Sequence, residues 1–136
     1  MRQIERAVAA ALAGVVVSGA TAQDAVQWRI EDGGNGHWYL IENSQPLSWD
    51  DASNQAAAIG GVLVCLESAE EQSWVFGLAE QQSFWLGLYQ DPNTGEPNED
   101  WQWLSGAPLS YENWDTGEPN ESAGAVEDRA QVLETI

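Results

Sequence analysis

The string Gly-Glu-Pro-Asn-Glu occurs twice, at positions 95–99 and 117–121. Each copy sets a carboxylate and a carboxamide two residues apart around a proline. Such a pair suits a hard cation: calcium takes roughly 6–8 oxygen ligands from carboxylates, carbonyls and water. The fixed φ of the proline can bend the chain so that Glu118 and Asn120, or Glu96 and Asn98, point the same way. A bend of this kind often uses a cis X-Pro bond, and Glu118-Pro119 is a candidate for one. A lone Glu-Pro-Asn is common, so these residues alone leave both copies open.

Other chemistry is sparse. His37 is the sole histidine, beside aromatic residues at a strand start, and reads as a structural or surface residue rather than a ligand or base. Cys65 is the sole cysteine, so no disulfide can form within the chain, and its apolar surroundings make it a small buried hydrophobe. A 12-residue calcium loop counted from Asp91 fails, because its glycine position holds Glu96 and its closing acid position holds Gln102. Four basic residues stand against 22 acidic ones, a net charge of −18. That surface repels phosphate backbones and lacks the basic patch that nucleic acids or anionic membranes require. A cation is its natural partner, although most of these carboxylates simply keep the surface solvated.

The elements that must position these residues follow from pattern. Residues 1–22 read as a secretory leader, with Arg2 and Arg6 ahead of the apolar run Ala7 to Val17 and the small residues Ala20-Thr21-Ala22 at its end. The run is shorter than the roughly 20 residues of a membrane helix. Residues 23–35 form a lead-in that either adds to the first strand or trails loosely. Residues 36–136 form one domain. In it Trp38 to Ile41 is a strand, and Ser48 caps a helix that stops at Gly60-Gly61. Val62 to Leu66 is a buried strand, Ser68 caps a second helix running to about Gln81, and Phe84 to Leu88 and Trp101 to Leu104 are strands. Ala130 to Ile136 resumes a strand. Tyr89 to Asp100 and Tyr111 to Val126 are long loops, where function usually sits. Helices first and loop-rich strands later predict an α+β domain, with Trp85, Trp101, Trp103 and Trp114 in its core.

In order and spacing, these features resemble the C-type lectin-like family over about 36–136. The residues that carry the resemblance are Gly36-His37-Trp38-Tyr39, Ser48-Trp49-Asp50-Asp51-Ala52, Gly60-Gly61-Val62-Leu63-Val64, Ser68-Ala69-Glu70-Glu71, Phe84-Trp85-Leu86-Gly87-Leu88, Trp101-Gln102-Trp103, Tyr111-Glu112-Asn113-Trp114, Glu118-Pro119-Asn120 and Glu127-Asp128. The resemblance implies a C-type lectin-like fold and a sugar-binding calcium ion held by the Glu-Pro-Asn that follows the Asn-Trp loop. It thus nominates Glu118 and Asn120 over Glu96 and Asn98. It further implies that Glu127 binds the same ion and that Asp128 binds an accessory one, with a spacing from Glu118 one residue longer than the commonest pattern. Asp91, with Glu96 or Glu99, is an accessory candidate in the first long loop, and solvation is the competing reading there. A carboxylate that accepts and an amide that donates can serve two adjacent sugar hydroxyls that also ligate calcium. In the family this goes with mannose, glucose or fucose, whereas Gln-Pro-Asp goes with galactose.

Departures are equally informative. Ala56 and Arg129 stand where the family has cysteines, so both of its disulfides are absent. The chain ends at Ile136 with no Trp-Asn-Asp, so the resemblance implies a domain incomplete at its C-terminus. The expectation is an exported, non-enzymatic module that binds glycans or glycoproteins through calcium. A protein-recognition module of the same fold is the alternative. A glycosidase using paired carboxylates ranks lower, because acid counts alone do not place two carboxylates across a scissile bond. Asn120-Glu121-Ser122 also matches a glycosylation acceptor, which would conflict with a ligand role for Asn120.

Overall fold

A computed structural model of the chain describes residues 8–12, 25–42, 46–91, 93, 100–120 and 127–134. Seven strands form one sheet: β1 (Val8–Leu12), β2 (Val26–Gln27), β3 (Trp38–Glu42), β4 (Val62–Leu63), β5 (Phe84–Gln90), β6 (Trp101–Trp103) and β7 (Arg129–Val132). Two helices, α1 (Trp49–Ala58) and α2 (Ala69–Leu78), precede β5. The main strand order is β2-β3-β1-β5-β6, with β4 also paired to β1 and β7 to β5. This is the α+β architecture expected.

The helix starts follow from local chemistry. The Ser48 Oγ accepts from the Asp51 amide at 3.2 Å, and the Ser68 Oγ accepts from the Glu71 amide at 3.1 Å. Each satisfies a backbone donor that a helix N-terminus leaves without an internal partner, worth about 1 kcal/mol.

β5 organises the packing. Its alternation sends Phe84, Leu86 and Leu88 into one cluster with Tyr39, Val64, Val75, Trp101 and Trp103, and sends Trp85 into a second with Ala52, Ala56 and Leu63 of α1 and β4. A strand buried on both faces reads as an apolar run rather than an alternating one, and only Tyr89 of β5 is partly exposed. Gly87 is where β5 passes close to the strand below: a Cβ there would lie 2.5 Å from the Leu63 carbonyl. The indole N–H groups of Trp49 and Trp85 donate to the Leu86 and Leu47 carbonyls at 2.7 and 3.0 Å, tying the start of α1 to β5. Trp85, Trp101 and Trp103 are buried and Trp114 is half-buried against the same core, as the pattern suggested.

Several boundaries differ from the sequence reading. β2 shows that the lead-in adds to the first strand. The Val62 to Leu66 run is a strand only over Val62–Leu63, although the Val64 carbonyl accepts from the Gly87 amide at 2.8 Å and Val64, Cys65 and Leu66 are buried. β5 continues through Tyr89 and Gln90, which the sequence placed in a loop, because both pair with β6. β7 starts one residue early, at Arg129, opposite Tyr89. The run read as part of a leader supplies β1, which lies antiparallel to β3 from Val8↔Glu42 to Leu12↔Trp38 and meets β4 and β5 on its other side.

Candidate functional site

The segment holding Glu118 and Asn120 leaves the sheet after β6 and is pinned back onto it. The Tyr111 hydroxyl donates to Gln72 Oε1 on α2 at 2.9 Å, and burial, with the nearby Glu70 charge, raises that phenol's pKa. Trp114 packs on Trp101 with ring centroids 4.9 Å apart. Trp101 pairs with Gln90, and the Gln90 amide donates to the Asp128 carbonyl at 2.9 Å. Both halves of the expected site are therefore anchored to the same end of β5.

At the tip, the Glu118 amide donates to the Asp115 carbonyl at 2.9 Å, closing a turn. Gly117 takes φ +93°, a left-handed conformation that suits glycine. The Glu118-Pro119 bond is cis, as the sequence suggested. Glu118 and Asn120 face one another: the Asn120 amide group donates to Glu118 Oε1 at 2.6 Å, and the Asn120 backbone amide to Oε2 at 3.1 Å. A further bond from Asn120 Nδ2 reaches the Gly117 carbonyl at 3.0 Å. The carboxylate and carboxamide thus lie together on a largely exposed turn, a donor set that fits a hard cation in kind.

Glu127 and Asp128 lead into β7. Asp128 Oδ2 pairs with Arg129 Nη1 at 3.1 Å. Asp91 is exposed at the end of β5, where Oδ1 accepts from the backbone and side-chain amides of Asn93, both at 2.9 Å. Those bonds lower its pKa. Its suggested companions Glu96 and Glu99, the whole earlier Glu-Pro-Asn copy, and residues 121–126 lie outside the described residues. Among the described residues no three His, Cys, Asp or Glu side chains gather so as to hold a metal ion. The structure therefore unites Glu118 with Asn120, and Asp128 with Arg129, without closing Glu118, Glu127 and Asp128 into one acidic cluster.

Two groups near the fold's centre escaped the sequence reading. Glu71 is 2% exposed and accepts from the Tyr39 hydroxyl, the Asn35 amide group and the Glu67 backbone amide. In a capping box Glu71 would reach back to the Ser68 amide; the amide it accepts from belongs to Glu67 instead. Arg129 stands where the resemblance places a cysteine, and nothing local in the sequence signals its contacts. Cys65 is buried as expected, and desolvation raises its thiol pKa.

Comparison with known proteins agrees with this architecture. The family model described as the lectin C-type domain matches residues 45–132. A perlucin-like protein from Mytilus galloprovincialis is 33% identical over 81 residues, covering 55% of this chain and 49% of that protein. C-type lectin domain family 4 member M of Nomascus concolor is 36% identical over 92 residues, 64% of this chain and 22% of that protein. CD209 antigen of Symphalangus syndactylus is 34% identical over 90 residues, 62% of this chain and 22% of that protein. The chain thus spans half or less of the length of these relatives. No solved structure gives a significant match. With its two capped helices, β5-centred sheet and Glu-Pro-Asn turn all inside or beside the matched span, the chain belongs to the lectin C-type domain family.

Proposed function

We propose that this chain is an exported carbohydrate-binding module that holds mannose-type glycans through calcium at the Glu118-Pro119-Asn120 turn. The observation that carries the reading is the mutual approach of Glu118 and Asn120 at 2.6 Å. It sets a carboxylate acceptor beside an amide donor, the asymmetry that two adjacent equatorial hydroxyls can use. Glu118, Asn120 and Glu127 would hold the ion, which would bind the hydroxyl oxygens directly. The accessory candidates Asp128 and Asp91 each have a partner already, Arg129 and Asn93. Residues 1–22 act in this reading as the export leader. Among the described residues no helix is long and apolar enough to cross a membrane.

Affinity chromatography tests the proposal. The chain should be retained on mannose-agarose with calcium, be released by EDTA, and pass through galactose-agarose. Retention that survives EDTA, or none on any sugar, would favour the protein-recognition alternative. Turnover of a glycoside would favour a hydrolase.

A further inference from the structure

Arg129 is one of only four basic residues in a chain with 22 acids, and it is mostly buried beside the candidate site. Its guanidinium lies over the Trp49 ring at 4.5 Å and near the Tyr89 ring at 5.9 Å. Nη1 donates to the Asp128 carbonyl at 2.9 Å and the Gln90 carbonyl at 3.3 Å, and pairs with Asp128 Oδ2 at 3.1 Å. Nη2 stands 4.0 Å from the exposed Asp50 carboxylate. One side chain thus gathers the first turn of α1, the end of β5 and the start of β7. Arginine suits this role because its planar fork can stack on an aromatic face while its edge donates.

We propose that Arg129, rather than a metal ion, is the cation that the Asp128 carboxylate serves, and that Arg129 is the residue positioning Glu127 and Asp128 at the start of β7. The second half rests on the calcium reading given above. A guanidinium on Asp128 neutralises that carboxylate and repels a second cation placed on it. Its grip on the Asp128 and Gln90 carbonyls fixes the backbone from which the neighbouring Glu127 projects. Asp128 then acts as a clamp and leaves calcium binding to Glu118, Asn120 and Glu127.

The full chain with Arg129→Met, Asp128→Asn, both together, and Arg129→Lys provides the test. Calcium is titrated calorimetrically, and urea unfolding is followed in EDTA by tryptophan fluorescence. Arg129→Met should weaken calcium binding about tenfold or more, as loss of a ligand-orienting partner does. Asp128→Asn should weaken it to a similar extent without changing the number of ions bound. The double variant should be no worse than either single one, and its unfolding midpoint should shift by less than the two single shifts combined. Arg129→Lys keeps the charge without the planar fork and should fall between wild type and Arg129→Met; it carries the test if Arg129→Met does not fold. Calcium binding that tightens in Arg129→Met, or an ion lost in Asp128→Asn, would make Asp128 a metal ligand and overturn the proposal, as would additive unfolding shifts. A wild-type chain that binds no calcium overturns the calcium reading and the positioning half with it, while the unfolding cycle in EDTA still decides the pairing.

Discussion

The Tyr39 hydroxyl donates to Glu71 Oε1 at 2.6 Å, joining β3 to the first turn of α2 through two residues that are almost wholly buried. The same carboxylate accepts from Asn35 and from the Glu67 amide. A hydrogen bond to a charged group contributes about 1.5–3 kcal/mol. Glu71→Ala removes the shared acceptor of three donors and should destabilise the chain by about 3 kcal/mol or more, whereas Glu71→Gln, which keeps the shape, should cost less. Urea midpoints measure both, and an unchanged midpoint in Glu71→Ala would deny the network its role.

Alkaline titration gives a second test of that pair. Burial, reinforced by the Glu71 carboxylate, pushes the Tyr39 phenol well above its ordinary value of 10.0. A folded-state pKa above the unfolded one means the native chain holds its proton longer. This contribution to stability is therefore complete below about pH 10 and is lost as pH rises further toward the folded pKa. Stability should fall more steeply above pH 10 in wild type than in Tyr39→Phe; equal slopes would contradict the assignment.

What the sequence made legible was local. Ser48 and Ser68 announce helix starts because a cap needs only a neighbour three residues on, and the aromatic and apolar run Phe84 to Leu88 announces a strand, whose burial on both faces only the fold reveals. What it concealed depends on partners far along the chain. Glu71 looked like an ordinary first-turn acid until Tyr39 and Asn35, 32 and 36 residues earlier, closed on it. Tyr89 and Gln90 looked like loop until β6 and Asp128 paired with them. Arg129 meets Trp49 and Tyr89 only after folding. Within the candidate site, the meeting of Glu118 and Asn120 was readable because they are two residues apart around a proline, although spacing alone left the copy at 96 and 98 equally open; the relation of Glu127 and Asp128 to them spans the residues between 120 and 127.

If residues 1–22 are the proposed leader, their removal should alter the sheet. β1 lies within residues 1–22 and pairs along all of β3, so cleavage after Ala22 leaves the β3 groups facing it without that partner. Exported protein should begin at Gln23 by mass, and β3 amides that face β1 should exchange faster in it than in the full chain. An exported N-terminus at Met1 would contradict the leader assignment.

Trp114 holds the Glu118 segment to β6 through Trp101. Truncating a large buried aromatic costs about 3–5 kcal/mol, and Trp114 is only half-buried, so Trp114→Ala should cost about 2 kcal/mol. It should also weaken sugar binding at least severalfold, since the turn loses its anchor. Circular dichroism melts and a mannose titration check both; full binding in a destabilised chain would separate the anchor from the site.

The most direct test of the calcium and sugar account exchanges donor and acceptor at the turn. Glu118→Gln with Asn120→Asp, and separately Glu96→Gln with Asn98→Asp, are compared with wild type in calorimetric titrations with mannose and galactose in calcium. Only the 118/120 pair should lose mannose and gain galactose, while the 96/98 pair should behave as wild type. Equal loss from both pairs, or unaltered mannose binding by the 118/120 variant, would contradict it.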